Sequence, residues 1–275
     1  MATADLDSCR ARLKRGKEKL DALEQAVRDF FADADPYRIV PEQDADGLLP
    51  LVVRIMRTPS LDDWADDVGE IAGAIRAALD HLVYQLALDS GASVTKRPRT
   101  QFPIFIDEGD YRNGGSRSPR SRMLGGVADK YRVIIDNLQP FQRRVRVESD
   151  PLALLRALSD RDKHRDRCDA FVYVRHARFE FLNPDGFTPS GAGIDWSNIR
   201  ETGEPTQAIR DGAIVAPARY DWHHGRKVQL RSAVVGTPVF DVAFRGDQIV
   251  RLGDLDRIIL HAFGIIERFQ SLVRR

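Results

Sequence analysis

Residues 60–89 constrain the fold more than any other stretch of this sequence. Trp64, Val68, Ile71, Ile75, Leu79, Leu82 and Leu86 recur at steps of three and four, the spacing of one face of an α-helix. Ser60 stands where an N-cap belongs. Asp62, Asp63, Asp66 and Asp67 suit the positive end of the helix dipole, and Ser90-Gly91 closes the segment. A long helix with an apolar stripe must bury that stripe, so the rest of the chain is read for what can cover it.

Residues 4–34 predict a first helix, with Leu6, Leu13, Leu20, Leu23, Val27 and Phe30 at helical spacing and Pro36 as its stop. Residues 37–57 predict a β-hairpin turning at Asp44-Ala45-Asp46-Gly47. Residues 91–121 contain Pro98, Pro103, Pro119 and Gly114-Gly115, with one short apolar piece, Phe102-Pro103-Ile104-Phe105. A mobile or partner-ordered loop is expected there. A third helix is expected over 124–136, before Leu138-Gln139-Pro140-Phe141. A fourth is expected from Asp150-Pro151 to about Arg165. After Cys168 the period changes to two, with strands expected over 171–181, 213–216, 228–235 and 239–245, followed by a final helix over 254–273.

The fold class is therefore α+β. Helices two to four and the last helix form a bundle, with an N-terminal β-hairpin and a C-terminal antiparallel sheet. The chain reads as one compact domain over 1–275. It is divisible into a mainly helical part to 167, a β-rich part over 168–247, and a C-terminal helix over 248–275 packing back on the bundle.

Composition excludes several classes. A chain of 275 residues that is 43% hydrophobic and 30% charged can build a core. Lys+Arg at 42 against Asp+Glu at 41 gives no overall pull toward nucleic acid or membrane. Two cysteines, Cys9 and Cys168, make neither a disulfide framework nor a CxxC zinc site, which points to a reducing cytoplasm. No apolar run approaches the ~18 residues of a membrane helix, and the first twenty residues lack the apolar core of a signal peptide. A cytoplasmic protein without a membrane partner is expected. P-loop, GxSxG and GxGxxG patterns are absent from the sequence. The charge is uneven, however. Nine basic residues, Arg143 and Arg144 among them, face two acidic ones between Arg112 and Arg146, a net +7 that could lie along a phosphate backbone or be a solvated loop.

Two clusters could carry chemistry. On the second helix, Arg76, Asp80 and Tyr84 form an i, i+4, i+8 row at about 120°, 160° and 200° from Leu82, on the back of the stripe, with His81 on the flank. The plain reading is a surface ion pair. On the fourth helix, Leu155, Leu158, Asp162 and Arg165 share a row, so two charges continue an apolar stripe and need partners. Either this is a solvated helix end, or the two helices meet at a shared polar site. In such a site His81 and His164 would serve as acid and base. Arg76, Lys163 and Arg165 would hold a phosphate, and an RNA 2′-hydroxyl could attack its own phosphate without a protein nucleophile. A metal is less favoured, because Asp80 and His81, or Asp162 and His164, diverge on their helices. Trp222-His223-His224 reads as a loop tip, His176 as a sheet-face residue, and His261 as a satisfied core histidine.

Two resemblances rest on these residues. Arg-Ala-Ala-Leu-Asp-His-Leu (76–82), Phe-Pro-Ile-Phe (102–105), Leu-Gln-Pro-Phe (138–141) and Leu-Ser-Asp-Arg-Asp-Lys-His-Arg (158–165) together resemble a family of bacterial proteins that brings no activity with it. Arg76 and His81, with four residues between them, resemble the Arg-x4–6-His motif of the HEPN superfamily, although Ala77 stands where those nucleases usually carry a polar residue. That resemblance implies a helical bundle in which Arg76 steadies the scissile phosphate and His81 assists attack by the 2′-hydroxyl, commonly across a homodimer.

The function expected is thus a metal-independent endoribonuclease of bacterial stress response or defence, with RNA as partner and no cofactor. Arg76, Asp80, His81 and His164 would be catalytic. Tyr84, Asp162, Lys163, Arg165, Arg143 and Arg144 would bind substrate. The alternative is a non-catalytic binding or scaffold protein whose Arg/Asp/His cluster is a structural polar network. A third reading is a phosphate-handling or nucleotide-binding protein that uses the basic segment.

Overall fold

The structure, a computed structural model, describes residues 4–32, 36–42, 51–92, 100–143, 146–163, 168–176, 179–182, 209–216, 219–222, 226–229, 232–235, 239–245 and 248–273. Its helices are α1 (Asp7–Ala32), α2 (Leu61–Asp89), α3 (Glu108–Arg112), α4 (Pro119–Met123), α5 (Asp129–Asn137), α6 (Pro151–Lys163) and α7 (Leu252–Val273). Its strands are β1 (Tyr37–Pro41), β2 (Leu51–Ile55), β3 (Asp169–His176), β4 (Phe179–Leu182), β5 (Ile214–Ala216), β6 (Arg219–Trp222), β7 (Arg226–Gln229), β8 (Ser232–Val235), β9 (Val239–Arg245) and β10 (Ile249–Arg251). The fold is α+β. Among the described residues no helix is long and apolar enough to cross a membrane. The chain forms two compact units, one of Met1–Glu24, Asp62–Asp169 and Phe244–Arg275, the other of Gln25–Leu61 and Ala170–Ala243.

The first unit is mainly helical. In α1 the stripe seen in sequence is completed by Cys9 and Gly16, giving the buried series Leu6, Cys9, Leu13, Gly16, Leu20 and Leu23 at alternating steps of three and four. Gly16 is the point of close approach to α2. A Cβ built there would lie 3.5 Å from Ala74 Cβ and 3.9 Å from the Ile71 carbonyl. Helix α1 thus joins the helical core, which the sequence reading had assigned to the later helices alone. The cover on α2 extends beyond its stripe. Ala87, about 140° round the helix from Leu82, is fully buried. The helix stops as Ser90-Gly91 predicts. Gly91 takes φ +84°, the Gly91 N–H donates to the Leu88 carbonyl and the Ala92 N–H to the Ala87 carbonyl, a Schellman closure.

The expectation of an open loop over 91–121 needs correction. From Gln101 onward the described part holds α3, a 3-10 turn (Gly115–Arg117) and α4. Phe102 and Tyr111 within it are fully buried. Asp107 caps α3 and Ser118 caps α4, so the polar and proline-rich composition encodes helix starts rather than slack chain. The third expected helix begins later than its apolar pattern suggests, at Asp129.

The second unit carries the hairpin. β1 and β2 pair antiparallel from Tyr37↔Ile55 to Pro41↔Leu51. Their expected turn, 44–47, lies outside the described residues. A third strand from far along the chain, β5, adds to β2 in the order β1-β2-β5. Beside it Phe30 and Tyr37 pack edge to face at 6.2 Å, and the Arg57 guanidinium lies 4.6 Å from the Phe30 ring centroid. The further antiparallel pairs are β4-β8 and β6-β7, and a second three-stranded sheet has the order β10-β9-β3. The single strand expected over 171–181 is two strands, β3 and β4. The one expected over 228–235 is also two, β7 and β8. β6 and β10 were not foreseen.

Candidate functional site

Three of the four sequence motifs, 76–82, 102–105 and 138–141, meet on one short extended segment. Phe102-Pro103-Ile104-Phe105 runs alongside helices and so has no strand to satisfy its backbone, and buried backbone groups must find partners. Side chains supply them. Asp80 Oδ1 accepts from the Phe102 N–H at 2.8 Å, and Arg76 Nη2 donates to the Phe102 carbonyl at 2.6 Å. Gln139, 1% exposed, donates to the Pro103 carbonyl at 2.9 Å and accepts from the Phe105 N–H at 3.1 Å. Arg156 of α6 reaches the Ile104 carbonyl at 3.4 Å. Residues from α2, from the end of α5 and from α6 thereby tie the segment down as neighbouring strands would.

This geometry sets what the Arg76–Asp80 row can do. The two side chains are four residues apart, which places them side by side on the helix. Arg76 Nε lies 3.4 Å from Asp80 Oδ1, with side chains 13% and 28% exposed. The row on the back of the stripe is therefore covered by the 102–105 segment, rather than facing solvent as a surface pair. The guanidinium is thus placed between a carboxylate and a backbone carbonyl of the chain itself.

His81 faces another part of the chain. Its Nε2 lies 2.9 Å from Ser8 Oγ and 3.2 Å from Gln85 Nε2. Gln85 Oε1 in turn accepts from the Asp5 N–H at 2.8 Å. Tyr84 stacks on the imidazole at 5.8 Å between ring centroids. Burial lowers the His81 pKa and the nearby Arg12 charge lowers it further, against a smaller opposite pull from Asp5. The imidazole is therefore neutral at pH 7 and joins α2 to the start of α1. Arg76 and His81 act on different segments, about 140° apart round the helix.

The remaining expected site residues divide as follows. Asp162 and Lys163 sit in the last turn of α6, and their side chains lie outside the described residues. His164, Arg165 and Arg144 also lie outside them. Arg143 is ion-paired with the buried Asp150. Much of the +7 segment is likewise paired internally. Arg120 makes a two-pronged contact with Asp136, Nε to Oδ1 at 2.9 Å and Nη2 to Oδ2 at 2.8 Å, and the Tyr111 hydroxyl donates to the same carboxylate at 2.7 Å. Arg132 pairs with Asp129, and Lys130 lies 3.9 Å from Asp89.

Sequence reading missed Gln139, Gln85, Ser8 and the Tyr111–Asp136–Arg120 group. Gln139 lay within a quoted motif, and its place before a proline that starts the next turn was the available signal. Among the described residues no group of three or more His, Cys, Asp or Glu side chains is placed to hold a metal ion. Cys9 is buried and its thiol is pushed up to about 11, which keeps it protonated and unreactive. Compared with known proteins, the chain matches no family model, no curated protein and no solved structure.

Proposed function

We propose that this chain is a non-catalytic binding or scaffold protein in which Arg76, Asp80 and His81 form a structural polar network. One observation carries this reading. Arg76 and Asp80 are committed to the carbonyl and the N–H of the same residue, Phe102. Two side chains that satisfy the N–H and the carbonyl of one buried residue serve the fold, and their loss leaves buried polar groups unpaired. The ribonuclease expected from the HEPN resemblance would need Arg76 and His81 to converge on one phosphate, and their present partners oppose that.

The test is incubation of bulk cellular RNA in EDTA with wild type and with His81→Ala, with folding checked by circular dichroism. The expected result is no cleavage by either protein and a lower melting temperature for the variant. Cleavage by wild type that disappears in a folded His81→Ala protein would overturn the reading in favour of a metal-independent ribonuclease.

A further inference from the structure

A cavity of about 410 Å³ in the helical unit is lined by Arg143, Ser149, Pro151, Arg257, Leu260 and His261. Three pieces of chain build it. Arg143 follows a 3-10 turn (Pro140–Gln142), Ser149 and Pro151 flank the start of α6, and Arg257, Leu260 and His261 share one face of α7 at i, i+3, i+4.

Two guanidinium groups stand in its wall, each about half exposed and each anchored on one side. Arg143 contacts Asp150 through Nε. Arg257 uses Nη2, 3.3 Å from the Ser149 carbonyl and 3.3 Å from Asp254 Oδ1. Their other N–H groups have no acceptor among the described residues. The acidic neighbours are already engaged, since Asp150 also accepts from the Leu152 N–H at 2.8 Å and Asp254 from the Arg251 N–H at 3.1 Å. Asp150 caps α6, so the helix start itself is not counted as part of the site. The third donor is His261. Its Nε2 is buried and has no hydrogen-bond partner, an expensive state that a ligand oxygen would relieve. Burial holds the ring pKa down, with Arg143 and Arg268 acting in the same sense and Asp150 against them. The ring is thus neutral at pH 7, and the tautomer with its proton on Nε2 can donate. Pro151 and the 59% exposed Leu260 add apolar wall.

We propose that this cavity binds a small organic phosphate monoester, with Arg143, Arg257 and His261 each donating to the terminal phosphate oxygens and Leu260 and Pro151 against the organic part. Three donors from two pieces of chain, Arg143 beyond the 3-10 turn and Arg257 with His261 on α7, suit a group with three terminal oxygens better than a carboxylate with two. The volume lies in the range of ligand pockets and exceeds what inorganic phosphate fills. The proposal rests on the binding reading above and gives it a ligand class.

The test is calorimetric titration of the full chain with adenosine 5′-monophosphate, ribose 5-phosphate, inorganic phosphate and adenosine, in low-salt chloride buffer at pH 7.5. Both esters are expected to bind one per chain, more tightly than inorganic phosphate, with adenosine silent and affinity falling as NaCl is added. Equal affinity for the two esters marks the sugar phosphate as the recognised part, and tighter mononucleotide binding adds the base. Arg257→Ala and Arg143→Gln should each weaken binding at least tenfold and His261→Leu severalfold, with the unliganded melting temperature of Arg257→Ala close to wild type and that of Arg143→Gln lowered by the loss of the partner of buried Asp150. Binding by neither ester, binding no tighter than inorganic phosphate, or binding that persists in the Arg143→Gln/Arg257→Ala double variant would overturn the proposal. Such a failure leaves the Arg76–Asp80 network untouched, whereas RNA cleavage by wild type would sink the binding reading whatever these titrations show.

Discussion

Asp136 shows how one residue organises a segment that looked unstructured. It is 7% exposed and receives Arg120 in two-pronged fashion and the Tyr111 hydroxyl. Burial pushes its carboxyl up, but the Arg120 hydrogen bonds and then that of Tyr111 outweigh burial and leave its pKa lowered. A carboxylate depressed in the folded state contributes stability that is full above the unfolded value near 4 and is lost as pH falls through the folded value. Asp136→Asn is therefore expected to cost about 3 kcal/mol at neutral pH and to flatten the acid limb of stability, checked by urea unfolding between pH 7 and pH 3. The histidines act in a higher window. His81 and His261 are both lowered by burial, so their contribution is full above about 6.5 and fades as pH drops below it. Unfolding at pH 8 and pH 5.5 should show wild type losing stability and His81→Gln losing less. An unchanged wild type would contradict the buried placement of these rings. None of these partnerships was legible in sequence, because Tyr111, Arg120 and Asp136 are spread over 26 residues with no periodicity to link them.

Elements were far more legible than partnerships. Helices α1, α2 and α7 follow from apolar periodicity and α6 from its Asp150-Pro151 start, and each lies within a few residues of its expected span. The failures have physical causes. Helices α3 and α4 are five residues each, too short for a periodic stripe, and are set by caps and tertiary contacts. β5 joins β2 from more than 150 residues away, a pairing that no local pattern encodes. In α1 the missing members of the stripe were Cys9 and Gly16, which a count of large apolar residues passes over. Gly16 gives a prediction at this scale. A Cβ there meets Ala74 at ordinary contact distance, and mid-helix glycine is costly. Gly16→Ala is thus expected to stabilise by about 0.5–1 kcal/mol. Gly16→Leu should destabilise by at least about 1 kcal/mol by pushing α1 from α2. Thermal unfolding of both checks the sign change.

Across the whole molecule, one short backbone segment gathers side chains from several helices. Arg76 and Asp80 from α2, Gln139 beyond α5 and Arg156 from α6 all bind the 102–105 segment. Sequence marks Arg76 and Asp80 as a row on the back of the α2 stripe and does not single out Gln139 or Arg156. It could not say whether the partner was a ligand or the chain's own peptide groups. The basic segment teaches the same lesson. A net +7 suggests a polyanion, yet Arg112, Arg120, Lys130, Arg132 and Arg143 each have an acidic neighbour in the fold. Local charge counts ignore carboxylates that arrive from elsewhere, as Asp89 and Asp150 do here.

The most direct test of this account is the urea unfolding free energy of Asp80→Ala beside wild type at pH 7. Removing Asp80 leaves the Phe102 N–H without its acceptor and Arg76 without its counter-charge, both largely shielded from water. The account predicts a loss of roughly 2 kcal/mol or more. An unfolding curve superimposable on wild type would contradict it, because Arg76 and Asp80 would then be free of any structural task.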